Sequence, residues 1–366
     1  MGLREHVRAA ALGAGCSGVG ICSVDRFGPE IAALESRKAV GMHAGLGFTF
    51  HDPERSGNLR HAFPWARRLV VAAWPYLPAA GSPGPAQRGT GRVARFATED
   101  HYRGLRFVLE QLVELLASSG HRGVALSDDG RLIDRAAAVR AGVGWWGKST
   151  MVLLPGSGPW VLLGSVVTDA ELPVDEPMRR TCGSCVACMP ACPTGAIVEP
   201  GVLDARLCLS RWMQAPGVIP RELRTAVADR IYGCDDCLEA CPPGFRLLEV
   251  ESGERGRIDL LDLLSADDNT LLDRFSHFYL PGRRPRYLRR NALVVLGNTG
   301  GSSVRSVVAG YLGHPDWLLR AHAAWAVGRL GGPMGIAVLR AARRRERDPR
   351  VAEEIADALG VAEDSR

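Results

Sequence analysis

The chain has 366 residues, 46% of them hydrophobic, and a net charge of +5, enough for two or three domains with buried cores. Ten cysteines, eight of them in motif spacing, exclude a secreted disulfide scaffold and indicate a reducing compartment. No run approaches a charge-free membrane span, and Met1-Gly-Leu-Arg-Glu-His6 lacks the apolar core of a signal peptide, so the expected location is the cytoplasm.

In chain order, Leu3, Val7, Ala10 and Ala11 predict a helix over residues 3–15, and Val19-Gly-Ile-Cys22 a short strand. Cys16 and Cys22 read as small buried hydrophobes. Pro29 opens a second helix over 29–40. Residues 41–64, rich in glycine, histidine and aromatics, read as one long functional loop in which His43 and His51 are either ligands, acid–base groups or ordinary surface histidines. Arg68 to Trp74 is a buried strand between prolines, and residues 78–91 a Pro- and Gly-rich excursion. Asp100-His101-Tyr102 precedes a helix to about Ser118, whose stripe of Leu105, Val108, Leu109, Leu112, Val113 and Leu116 is core packing.

A short helix from Arg135 to Arg140 ends near Gly142, and glycines then allow close backbone approach through Trp145-Trp146-Gly147-Lys148. The two tryptophans suit either a flat cofactor or the core. Residues 151–154 and 160–168 read as strands, completing a sheet with flanking helices. No Gly-x-Gly-x-x-Gly follows a strand, so no dinucleotide site is expected. Residues 202–215 and 220–230 read as helices. Past Arg283, an arginine-led amphipathic helix ending at Gly297 is echoed by another ending at Gly328, the pattern of stacked helical pairs. From Arg274 onward there are 16 arginines, no lysines and 8 acidic residues, a net +8 that leaves residues 1–273 at −3. A basic tail on an acidic body suits a polyanionic partner such as nucleic acid, although an arginine-rich composition accounts for the choice of arginine over lysine.

The strongest feature is Cys182-Gly-Ser-Cys185-Val-Ala-Cys188-Met-Pro-Ala-Cys192-Pro193, the C-x2-C-x2-C-x3-C-P spacing of bacterial iron–sulfur proteins. Three thiolates on a tight loop aim at one cluster, and the fourth serves another. Cys208 and Cys234-Asp-Asp-Cys237-Leu-Glu-Ala-Cys241-Pro242 repeat the grammar. Crossed ligation predicts two 4Fe–4S cubanes, one on Cys182, Cys185, Cys188 and Cys241, the other on Cys192, Cys208, Cys234 and Cys237. Structural zinc, the rival reading, favours paired knuckles without the trailing proline. A bare two-cluster ferredoxin needs about 60–80 residues, so the residues before Cys182 carry a further task. Asp134, ahead of the glycine-rich turn, is either a general acid with a burial-raised pKa or a helix-capping aspartate paired with Arg135.

Asp134 to Lys148, the Cys182 to Ile197 motif, Val202 to Cys208 and Arg230 to Cys237 together resemble the epoxyqueuosine reductase family, over about residues 1–360. The resemblance implies an α+β protein. Its parts would be an N-terminal α/β cobalamin-binding catalytic domain (1–175), a ferredoxin-like double-cluster domain (176–250) and all-α HEAT-like repeats (283–360) that bind tRNA. It implies removal of the epoxide oxygen of epoxyqueuosine at the tRNA wobble position, with two cubanes feeding cobalamin. Asp134 matches the proton donor. Arg55, Asp134, Lys148, Ser210 and Asp235 match positions lining the corrin, and Arg283, Arg284, Arg286, Arg289 and Arg290 would grip phosphates. An electron donor such as a flavodoxin or ferredoxin system is implied. The chain departs from the family with Asp100-His101-Tyr102 for Asp-Tyr-His, Ser149 after Lys148, and Pro242-Pro243-Gly244 after Cys241. Two other classes fit part of the pattern: a corrinoid iron–sulfur reductase of a small molecule, and a noncatalytic two-cluster electron carrier.

Overall fold

The computed structural model describes residues 2–77, 88–249 and 256–364. Most of the 78–91 excursion lies outside them. The chain forms two compact units that interleave in sequence. The first takes residues up to 79, 99–207 and 235–251; the second takes 80–98, 208–234 and 252 onward.

The first unit is built on a four-stranded antiparallel sheet in the order Gly18–Ser23, Arg68–Pro75, Val161–Thr168, Gly123–Ser127. Alternation along Arg68–Pro75 sorts its neighbours, because successive side chains leave opposite faces. Leu69, Val71 and Ala73 meet Ala136, Ala137 and Ala138 of the helix Asp134–Arg140 in one core cluster. These three alanines let the helix lie close to the sheet. At Gly20 the approach is closest: a Cβ there would sit 1.9 Å from the Ala141 carbonyl oxygen, so only glycine fits. The helix His101–Ser118 is capped by the Asp100 carboxylate, which accepts from Arg103 N–H at 3.1 Å, and buries Leu105, Val108, Leu109, Leu112 and Leu116. Five such side chains, at about 1.5–3 kcal/mol each, far outweigh its exposed ion pairs.

Several expected elements differ. Residues 41–64 are not one loop but hold the short helices Phe48–His51 and Pro53–Gly57 and a turn of 3-10 helix at Leu59–His61. The helix expected over 202–215 is a strand at Val202–Leu203 followed by a helix only at Leu209–Gln214. Trp145–Trp146 pairs with Val152–Leu153 as a small hairpin, and Gly123–Ser127, whose alternation is weak, is a strand that the pattern did not show.

The second unit pairs Arg230–Tyr232, Thr90–Val93 and Arg257–Asp259 in a small sheet. It continues through the helices Arg286–Thr299, Trp317–Leu330, Gly332–Arg345 and Pro349–Asp364. One hydrophobic core runs from Val93 to Ala362. Trp317–Leu330 is buried on nearly all sides, as a helix flanked by neighbours on both sides must be. Among the described residues no helix is long and apolar enough to cross a membrane.

Candidate functional site

Asp134 is the first residue of its helix, with Ile133 before it at the cap position. Its Oδ1 is buried without a hydrogen-bond partner, while the residue as a whole keeps some exposure. Burial raises its pKa from 3.8 to about 8, helped by the nearby carboxylates of Asp128 and Asp129 and opposed by Arg135. The Arg135 guanidinium reaches instead to the Thr150 carbonyl oxygen at 3.2 Å. Burial thus favours the protonated form of Asp134 near neutral pH.

The segments around it are held in unusual backbone conformations. Ala44, Phe48, Asp128 and Thr150 all have left-handed φ, at 52°, 45°, 52° and 69°. Such strain persists only where the surroundings enforce it, and it gathers at functional sites. Ser56 Oγ donates to the Gly130 carbonyl at 2.5 Å, tying the 41–57 segment to the turn before Asp134. Arg55, on the same segment, lowers the pKa of Asp129, behind the larger effect of Arg131. His43 Nδ1 and Trp145 Nε1 are buried with no partner, whereas Trp146 is 41% exposed. His51 is exposed; its carbonyl accepts from Lys38 Nζ at 2.9 Å and its backbone N–H donates to the Gly47 carbonyl at 3.2 Å.

Lys148 connects this region to the first cysteine motif. Its backbone N–H donates to Cys182 Sγ at 3.4 Å and its Nζ to the Gly183 carbonyl at 2.7 Å. Cys241, remote in sequence, shares an apolar cluster with Trp145 and Leu153 against which Cys182 packs. Burial pushes its thiol up to about 12, and Cys182, Cys188 and Cys185 act on it in the same sense. Cys182 and Cys185 act in the same sense on Cys188, so the thiols of this group lie close enough to feel one another, as ligands of one cluster must. Cys192 Sγ accepts from Ala196 N–H at 3.2 Å, the kind of bond that stabilises cluster sulfur.

In the second unit, Cys208 caps the helix Leu209–Gln214, which carries Ser210; the Ser210 Oγ accepts from Gln214 Nε2 at 3.0 Å. Cys234 follows the strand Arg230–Tyr232. Asp235, in the first unit, is buried, and its carbonyl receives the Leu238 and Glu239 amides. The arginines at the start of the tail divide. Arg283 and Arg284 are exposed, but Arg286 faces Asp316 at 3.0 Å, Arg289 is tied to Asp268 and the Ala266 carbonyl, and Arg290 is wholly buried. Arg289 and Arg290 therefore cannot grip phosphates as the sequence suggested. Their place on an amphipathic helix hid this, because an arginine-led face looks solvated until its neighbours are known.

Residues 181–244 match a 4Fe–4S double cluster binding domain and residues 280–360 match HEAT repeats, which defines a two-cluster iron–sulfur protein with a helical-repeat tail. The chain is 31% identical to an epoxyqueuosine reductase of Bacillus subtilis, covering 96% of this chain and 94% of the relative. It is 32% identical to one of Vibrio cholerae, over 89% and 91%. The chain belongs to the epoxyqueuosine reductase family. Its fold matches a crystal structure of epoxyqueuosine reductase with an epoxyqueuosine-modified tRNA-Tyr stem loop at TM-score 0.90 and 29% identity, over 99% of both chains. A Bacillus subtilis epoxyqueuosine reductase with its catalytic aspartate loop swung out of the active site matches at 0.89 and 29%, over 98% of both.

Proposed function

We propose that this chain reduces epoxyqueuosine to queuosine at the wobble position of tRNA, with Asp134 as proton donor. The observation that carries the reading is the buried Asp134 carboxyl, its pKa raised to about 8 and its Oδ1 without a partner, in the same unit as Cys182, whose sulfur Lys148 touches. Opening the epoxide to the cyclopentene takes two electrons and two protons and releases one water. Asp134 holds one proton at Oδ1 or Oδ2 and delivers it to the departing oxygen; the second comes from solvent. Its raised pKa keeps it loaded at neutral pH.

Cobalamin, when bound, would supply strongly reducing, nucleophilic chemistry beside the epoxide-bearing ring. The residues present suit it. Trp146 offers an exposed apolar face, Trp145 Nε1 and His43 Nδ1 await partners among the corrin amides, and Arg55 and Lys148 bring positive charge. With Asp134, Ser210 and Asp235 they form the set proposed to line the corrin. Cys182, Cys185, Cys188 and Cys241 would hold one cubane and Cys192, Cys208, Cys234 and Cys237 the other, relaying single electrons from a reduced flavodoxin- or ferredoxin-type donor in the cytoplasm. On this reading residues 1–175 serve catalysis, 176–250 electron transfer and 283–360 tRNA binding, with Arg283 and Arg284 on phosphates. The test is to incubate the anaerobically purified, cobalamin-supplemented chain with reductant and an epoxyqueuosine-bearing stem loop, then to weigh the nucleosides. Queuosine should form. Intact epoxyqueuosine beside a full complement of iron and corrin would refute the assignment.

A further inference from the structure

Arg290 is a buried cation that meets no carboxylate among the described residues. Its Nη1 donates to the carbonyls of Ala215 (2.8 Å) and Gly217 (2.6 Å), and its Nη2 to those of Trp212 (2.9 Å) and Met213 (3.4 Å). Its neighbour Asn291, 1% exposed, accepts from Arg290 Nη2 at 2.9 Å and donates to the Met213 carbonyl (2.9 Å) and the Ile231 carbonyl (3.0 Å). These carbonyls belong to two segments. One is the end of the helix that Cys208 caps; the other is the strand that leads into Cys234.

Further tail residues lace the same stretch. Asn298 donates to the Arg224 carbonyl at 2.7 Å, His322 Nε2 accepts from Ile219 N–H at 3.2 Å, and Glu354 takes both Arg224 nitrogens at 2.8 and 3.0 Å. With Nε2 an acceptor and Nδ1 donating to the Leu318 carbonyl, His322 is neutral, as its burial requires. Around Arg290 the interior also holds Arg224 and Arg211.

We infer that Arg290 and Asn291, on the first helix of the repeat tail, are positioning residues for the cluster bound by Cys208 and Cys234. The repeat tail is thus a scaffold for that cluster as well as an RNA-binding surface. Together Arg290 and Asn291 fix the carbonyls of Trp212, Met213 and Ile231, and so the backbone that carries Cys208 and Cys234. The inference rests on the proposed ligation by Cys208 and Cys234.

Three variants separate the inference from that premise. Cys208→Ala tests the ligation: loss of about half the iron supports it, and full iron refutes the premise. Asn291→Leu, close to isosteric, removes both carbonyl contacts. Provided it unfolds cooperatively, it should lose one cluster to a chelator faster than the wild type while the other persists. Arg290→Lys keeps the charge but cannot span the same carbonyls, and it should speed the loss of the same cluster while the other persists. In the apoprotein, hydrogen exchange should protect residues 212–217 and 231–234 together with 286–299, and Asn291→Leu should release the first two. Unchanged cluster retention in Asn291→Leu with unaltered protection, or in a folded Arg290→Lys variant, overturns the inference. If Asn291→Leu does not fold, Arg290→Lys decides.

Discussion

At the scale of the residue, Asp134 exchanges stability for function. The native carboxyl keeps a proton that the unfolded chain releases near 3.8, so the protein loses stability as pH rises toward about 8, and the loss levels off above it. Asp134→Asn removes that dependence. The variant should melt higher than the wild type at neutral pH, by on the order of 1–3 kcal/mol once its partial exposure is allowed for. The gain should vanish near pH 4 and level off above about 8. Equal melting temperatures at pH 7 would contradict the raised pKa. The sequence narrowed Asp134 to an acid or a cap but did not decide, because its burial depends on how its helix packs in the fold, and Asp128, six positions earlier, adds like charge that spacing alone does not reveal. His43 and Trp145 were visible as residues, yet nothing in their spacing showed that their nitrogens lack partners.

At the scale of the element, the fourth ligand proposed for the first cluster is secured by a clasp. Trp160, fully buried, donates Nε1–H to the Gly244 carbonyl at 3.2 Å. A Cβ on Gly158, whose φ is +57°, would lie 2.5 Å from Gly244 Cα, and one on Gly244 would lie 2.5 Å from Trp160 Nε1. The backbone after Cys241 therefore lies directly on the turn before Trp160, and only glycines permit it. Gly158→Ala should cost about 1–3 kcal/mol by overpacking and loosen Cys241. The cluster on Cys182 should then lose iron faster to a chelator while the other keeps its iron; equal retention of both would oppose the crossed ligation. The cysteine spacing was fully legible in the sequence. Pro242-Pro243-Gly244 was legible only as a departure from the family, since its reason is a tryptophan 84 positions away.

At the scale of the whole molecule, the charge asymmetry was legible, but not how the arginines divide. Some hold the interior together, and only exposed ones can meet RNA. Replacing Arg283 and Arg284 together with alanine should weaken stem-loop binding and flatten its salt dependence by about 1–2 units of log–log slope, with cluster content unchanged. A steep, unaltered slope would place the RNA elsewhere. The central claim concerns the proton. Single-turnover reduction of an epoxyqueuosine stem loop by anaerobic wild type and Asp134→Asn, both loaded with clusters and cobalamin, tests it most directly. The account predicts a wild-type rate that falls as pH passes about 8 and a variant slower by about 100-fold or more at every pH below it. A variant that turns over at the wild-type rate with the same pH profile would contradict it.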